Sequence, residues 1–246
     1  MGTVFSFDVR GESAGAEGAE AAVDAAANWL HRVDALFSLY KPESEMSRLA
    51  RGELTAGDCD PLIAEVLALC EAAEARSDGW FSTRYAGALD PTGLVKGWAV
   101  ERASRLLAAR GLGDTCINGG GDIQLSGEKE PGRPWRIGIS DPLHPGDLVA
   151  IVESDGDLGV ATSGTAERGC HVLDPRTGAP PADSLASVTV LTRGLTAADA
   201  WATAAFARGA SSREWLEALP DVEAFAVEPS GRTWCTAGFR EFAHVN

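Results

Sequence analysis

Apolar and polar residues alternate through TVFSFDV (3–9), with β-branched and aromatic side chains among them, the period of a half-buried strand. The spacing then lengthens. Between residues 16 and 38, Val23, Ala27, Leu30, Val33 and Leu36 recur every three or four positions, which predicts an amphipathic helix carrying His31 in a surface or packing role. The pattern breaks at Pro42 and restarts as a short helix in ESEMSRLAR. It becomes helical again over 61–80, with Pro61 at the start and Gly79 as a stop, and over 96–113 with a second glycine stop. The period then shortens. TCINGGGDIQLSG (115–127) reads as strand, glycine turn, strand. WRIGIS (135–140), LVAIVES (148–154) and LGVATSG (158–164) read as strands, with DPLHPGD as the turn between the first two. A strand at 186–192, a helix at 196–209, and a last helix and two strands complete the chain. Helices gather early and strands in the middle, so the order is not a regular βαβ alternation. The expectation is an α+β fold, a mixed or antiparallel sheet with flanking helices, in one unit spanning 1–246.

Composition narrows the function. The 246 residues are 45% hydrophobic, enough for a sizeable core. Lys and Arg number 21 against 36 Asp and Glu, a net charge of −15, which argues against nucleic acid as a partner. An anionic substrate needs local help from a metal, a helix N-terminus or a few placed cations. The five cysteines, Cys59, Cys70, Cys116, Cys170 and Cys235, are odd in number and widely spaced, which favours reduced thiols over a disulfide framework or a zinc site. No apolar run reaches the roughly 18 residues of a membrane span. The opening residues carry no basic-then-apolar leader, so a cytoplasmic location is expected, although a mature exported chain would look the same.

Four places hold candidate chemistry. NGGGD (118–122) is either a structural hairpin or a loop whose bare backbone N–H groups cradle an anion. Lys96 and Gly97 stand at the mouth of the predicted 96–113 helix, a setting for a phosphate or for a solvent-facing lysine. Asp199 and Thr203 are four apart on a helix with Thr196 as its N-cap, so a carboxylate and a hydroxyl share one face. They are hard ligands for Mg²⁺, or an ordinary first-turn acid and its neighbour. His171, ahead of the Asp174-Pro175 turn, is a general base or a satisfied core histidine.

Taken together and in order, MGTVFSFDV, FSLYKPESEMSRLA, LDPTGLVKGWAVERA, INGGGDIQLSG, ATSGTAERGCHVLDPRTGAP and SVTVLTRGLTAADAWATAAF resemble the ApbE family of FAD:protein FMN transferases, over almost the whole chain. The resemblance implies a T-fold-like α+β domain. It implies that FAD is split at its pyrophosphate, that FMN is joined to a threonine or serine of an acceptor flavoprotein, and that AMP leaves. Asp199, Thr203 and the Gly93 carbonyl would then hold Mg²⁺. Lys96, Met1, Tyr40, Trp80, Phe81 and Ser82 would contact FAD, with Gly119, Gly120, Gly121 and Asp122 bordering it. His171, also at the ligand, would take the acceptor hydroxyl's proton. The chain departs from the family at Phe81-Ser82, where Phe-Asp is usual, and in the short connection TRYAGALDPTGLV (83–95). Hydrolysis of FAD to FMN and AMP, and flavin binding without catalysis, are the alternatives.

Overall fold

The alternation at the start becomes β1 (Phe5–Val9) in the computed structural model, which describes residues 2–15, 17–85, 88–165, 172–181 and 184–245. The long helical stretch is α1 (Ala19–Phe37). Its buried face is Ala22, Ala26, Leu30, Val33 and Phe37, while Val23, Ala27 and Leu36 are only half-buried. The inward stripe is thus one residue off the predicted one at both ends, with small alanines inside, where a neighbouring helix comes close.

After Pro42, α2 (Glu45–Ala50) starts at Ser44, whose hydroxyl accepts the Ser47 N–H at 3.1 Å. Next, α3 (Pro61–Arg76) opens on Pro61 as expected but ends four residues before residue 80. Asp78 and Gly79 take φ of 54° and 78°, and this left-handed pair turns the chain toward Trp80. A small ribbon of β2 (Arg84–Tyr85) and β3 (Ala88–Leu89) leads to α4 (Thr92–Ala108). This helix begins four residues earlier than the predicted 96. Pro91 precedes it and Asp90 accepts the Thr92 N–H at 2.8 Å. Lys96 and Gly97 therefore lie inside the helix, not at its mouth.

The strands follow as β4 (Thr115–Gly119), β5 (Asp122–Ser126), β6 (Trp135–Ser140), β7 (Leu148–Ser154), β8 (Leu158–Gly164) and β9 (Ser187–Thr192). Then come α5 (Leu195–Arg208), α6 (Ser212–Glu217), β10 (Glu223–Val227), β11 (Thr233–Cys235) and β12 (Ala243–Val245). At three residues, β12 is too short to show a period and was not expected. The large sheet has seven strands in the order β1-β4-β5-β8-β9-β10-β11, and a second has three, β12-β7-β6. Every pairing between these strands is antiparallel, which settles the expected α+β class on the antiparallel side.

Period-two alternation sorts the large sheet's residues into two cores. Ile117, Ala161, Val188, Val190, Ala224 and Ala226 face the helices, with α4 and α5 lying on the sheet and α1 on α4. Ile123, Leu125, Val160, Leu191, Phe225 and Val227 face the small sheet and meet Trp135, Ile139, Val152 and Phe239. The large sheet is thus covered on both sides, and β9 is buried at every position. Cys59, Cys70, Cys116 and Cys235 are free thiols, with burial pushing Cys70 up to about 12 and Cys116 up to about 11. Cys170 lies outside the described residues.

Candidate active site

Two glycines set how closely α4 and α5 cross. A Cβ on Gly97 would stand 2.5 Å from the Leu195 carbonyl oxygen, and one on Gly93 would stand 3.1 Å from Thr203 Cγ2. Only bare backbone fits this seam. The approach brings polar groups from both helices together. The Gly97 N–H donates to Asp199 Oδ2 at 2.8 Å, and the Thr203 hydroxyl donates to the Gly93 carbonyl at 3.3 Å. Asp199 and Thr203 are both buried, at 6% and 7% exposure. The carbonyl, carboxylate and hydroxyl expected as a donor set thus lie along one seam, in two contacts about one helical turn apart.

One turn along α4, the Lys96 ammonium pairs with Asp122 at 2.5 Å. Asp122 is buried at the start of β5, and its Oδ1 accepts the Thr162 N–H at 3.0 Å. The pair ties α4 to the β4–β5 hairpin and holds the lysine in place. The hairpin closes through Gly120 and Gly121, with φ of 62° and 93°, a two-residue turn that needs positive φ at both positions. Its backbone donors are already used: Gly120 N–H donates to Val4 O at 3.2 Å and Gly121 N–H to Asn118 Oδ1 at 2.9 Å. This turn is therefore no anion cradle. It instead offers a face without side chains to a cleft of about 530 Å³ between the two sheets. Lys96, Asn118, Gly120, Gly121 and Thr162 line one wall, and the loop at 141–146 the other.

Beside the seam, Phe81 is buried, and its ring edge would lie 3.4 Å from a Cβ on Gly93. The Ser77 hydroxyl accepts the Phe81 N–H at 2.8 Å, and the buried Ser82 hydroxyl accepts the Arg84 N–H at 3.1 Å, so this segment is fixed locally. The half-buried Trp80 ring carries the Arg176 guanidinium 4.2 Å from its centre. Tyr40 is 92% exposed, with its ring in solvent after α1. Met1 and His171 lie outside the described residues.

The ApbE family model matches residues 1–88 and 82–226. The chain belongs to the ApbE family. Over 166 residues it is 29% identical to the FAD:protein FMN transferase of Salmonella typhimurium, covering 63% of this chain and 47% of that one. Over 174 residues it is 33% identical to the enzyme of the same name from Treponema pallidum, covering 64% and 48%. The chain thus spans about half the length of the curated relatives it matches. Among solved structures, the flavin transferase ApbE from Vibrio cholerae superposes with a TM-score of 0.84 at 21% identity, covering 98% of this chain and 96% of that one. The apo form of flavinyl transferase ApbE from Pseudomonas stutzeri gives 0.81 at 25% identity, covering 98% and 94%.

In this ApbE chain the seam suits a hard cation. The 3.3 Å between Thr203 Oγ1 and Gly93 O is close to the spacing of adjacent ligands around Mg²⁺ or Ca²⁺, about 2.9–3.4 Å for bonds of 2.1–2.4 Å. No group of three His, Cys, Asp or Glu able to hold a metal occurs among the described residues. A cation at the seam would rest on one carboxylate and two neutral oxygens. It would keep positive charge to share with an anionic ligand.

Sequence patterns missed what holds the ApbE seam in register. The N-cap of α5 is Gly194, not Thr196. Thr196 lies inside the helix, donating its N–H and hydroxyl to Glu101 Oε2 at 2.8 and 2.5 Å. Gln124 Oε1 accepts the Leu195 N–H at 2.8 Å. Side chains from α4 and β5 thus satisfy the free donors at the start of α5. The available signal was a glutamate and a glutamine at positions where the helix and strand pattern demands apolar residues.

Proposed function

We propose that this chain transfers FMN from FAD to a threonine or serine hydroxyl of an acceptor flavoprotein, releasing AMP, with Mg²⁺ at the α4–α5 seam. What carries the reading is the convergence of the Gly93 carbonyl, Asp199 and Thr203 at that seam, in a chain whose ApbE match covers most of its length.

Asp199, Thr203 and Gly93 would hold the cation, which when bound neutralises charge on the pyrophosphate oxygens. Lys96, paired with Asp122, sets an ammonium on the cleft wall, where it would meet the diphosphate. The side-chain-free Gly120–Gly121 turn lets a flat ring or a phosphate approach the backbone. The acceptor oxygen attacks the phosphorus of the FMN half, forming a phosphoester, while the P–O bond to the AMP half breaks and AMP leaves with that oxygen. The hydroxyl proton passes to His171, whose imidazole, with an ordinary pKa of about 6.5, is suited to a base near neutral pH.

The test is to incubate the protein with FAD and Mg²⁺, with and without a threonine-bearing acceptor, following AMP by chromatography and acceptor mass by spectrometry. AMP release that depends on the acceptor, with FMN bonded to it, is expected. AMP without acceptor labelling would make the protein an FAD pyrophosphatase, and neither product would leave flavin binding alone. The His171→Ala variant should lose transfer and keep FAD affinity.

A further inference from the structure

Most arginines described in this acidic chain sit against carboxylates, among them Arg10 on Asp8, Arg32 on Asp60, Arg51 on Glu53 and Arg102 on Glu65. Arg208 and Arg176 do not. Arg208 ends α5, and its Nε and Nη1 are closed off from solvent with no hydrogen-bond acceptor. Its guanidinium lies 5.9 Å from the centre of the Trp80 ring and 5.8 Å from that of Trp215. The exposed Arg176 rests 4.2 Å from the centre of the same Trp80 ring. Asp174, its nearest acid in the chain, accepts the Arg176 backbone N–H at 2.8 Å instead. Among the described residues, neither guanidinium has a carboxylate partner. Aromatic faces attract a guanidinium but accept no forked hydrogen bond from it, so charge is left over on both, and the exposed Arg176 keeps accessible donors.

Their position gives the surplus a use. Trp80 directly precedes Phe81, which packs at Gly93, and Arg208 lies five residues beyond Thr203 on α5. We propose that Arg208 and Arg176, gathered on Trp80, form a second anion subsite at the rim of the seam, taking a carboxylate or a phosphate oxygen. Planar guanidinium groups match both by paired N–H donors. In a chain of net charge −15 such a spot also draws in an anion that the rest of the surface repels. The oxygen comes either from the diphosphate of FAD or from a carboxylate beside the acceptor hydroxyl. The role of the subsite rests on the transferase reading; its anion binding does not.

Calorimetric titration of the full chain with inorganic pyrophosphate, in EDTA so that no metal contributes, tests the subsite without turnover. Arg176→Ala and Arg208→Met should each weaken binding about tenfold or more, the scale of a lost charge-assisted contact, with Arg208→Lys retaining part of it. Arg176 is exposed, so its variant keeps the test sound if Arg208→Met unfolds. Pyrophosphate affinity unchanged in Arg176→Ala overturns the proposal. Titrating the same variants with FAD, and with a threonine peptide flanked by glutamates against its glutamine counterpart, identifies the source. Weaker FAD binding assigns the donor's phosphate, and loss of the preference for the glutamate peptide assigns the acceptor. If neither changes, the pair has no part in substrate binding. A wild type that binds pyrophosphate yet transfers no flavin would refute the transferase reading and leave the subsite standing.

Discussion

The α4–α5 seam and the 141–147 loop have opposite constructions. At the seam every named contact is long-range: Gly97 to Asp199, Gly93 to Thr203, Glu101 to Thr196, Gln124 to Leu195. The participating side chains are buried or nearly so, and the backbones meet through glycine. The loop forms one wall of the cleft, but its polar contacts are local, with Asp141 receiving the Leu143 N–H and pairing with His144 three residues on. The groups proposed to hold a metal thus sit on rigid elements, and the far wall of the cleft sits on a loop.

The comparison breaks most visibly at Gly97. In Gly97→Ala the new methyl would meet the Leu195 carbonyl oxygen at 2.5 Å and Asp199 Cβ at 2.7 Å, so the helices must part. A loss of about 3 kcal/mol in stability is expected, with the Asp199 contact disturbed as well. Chemical denaturation measures the first and Mg²⁺ titration the second. An alanine variant as stable as wild type would show that the crossing is looser than these distances state.

Glu101 is next. Glu101→Ala removes the acceptor for the Thr196 N–H and hydroxyl and should cost about 2 kcal/mol, whereas Glu101→Gln keeps an acceptor oxygen and should cost less than half of that. Equal losses for the two would make the charge, not the hydrogen bonds, the working feature. Asp199→Asn tests the function of the seam. It keeps a side-chain oxygen for the Gly97 N–H, while turnover should fall at least about tenfold, roughly 1.4 kcal/mol of barrier. Activity that survives both this change and EDTA would remove the metal from the seam.

How much of this was legible in the chain depends on the range of the interaction. Most strands of both sheets were readable, because the central strands of the large sheet present alternate residues to two different cores; β12, three residues long, was not. The hairpin at Gly120 was readable from its turn chemistry. The start of α4 was placed at Lys96, four residues late, which left Gly93 outside the helix and Gly97 at its mouth. Their reason lies on α5, about a hundred residues away, where Leu195 and Thr203 leave no room for a side chain. The cap of α5 was misplaced for the same reason: Thr196 has the right residue type, but its partner is Glu101 on another helix. The shared face of Asp199 and Thr203 followed from their spacing, yet that they meet Gly97 and Gly93 did not.

The smallest expected effect lies in the loop. His144 is held above its ordinary imidazole value by its hydrogen bond to Asp141, reinforced by that residue's charge, and Asp141 is held below its own by the same bond. The histidine's share of stability is complete below the unfolded imidazole pKa, about 6.5, and disappears as pH rises through the raised folded value. The aspartate's share is complete above the unfolded carboxylate pKa and disappears as pH falls through the lowered one. Both partners are therefore charged between the two folded values, in mildly acidic to neutral solution. Because the His144 ring is largely exposed, no measurable change in melting temperature is expected from Asp141→Asn. NMR titration of the His144 ring should show its pKa falling toward the ordinary value in that variant. A wild-type ring that already titrates at the ordinary value would mean the pair does not persist in solution. If Asp141→Asn also weakened Mg²⁺ binding, the cleft wall and the seam would be coupled, and the division between rigid seam and independent loop would fail.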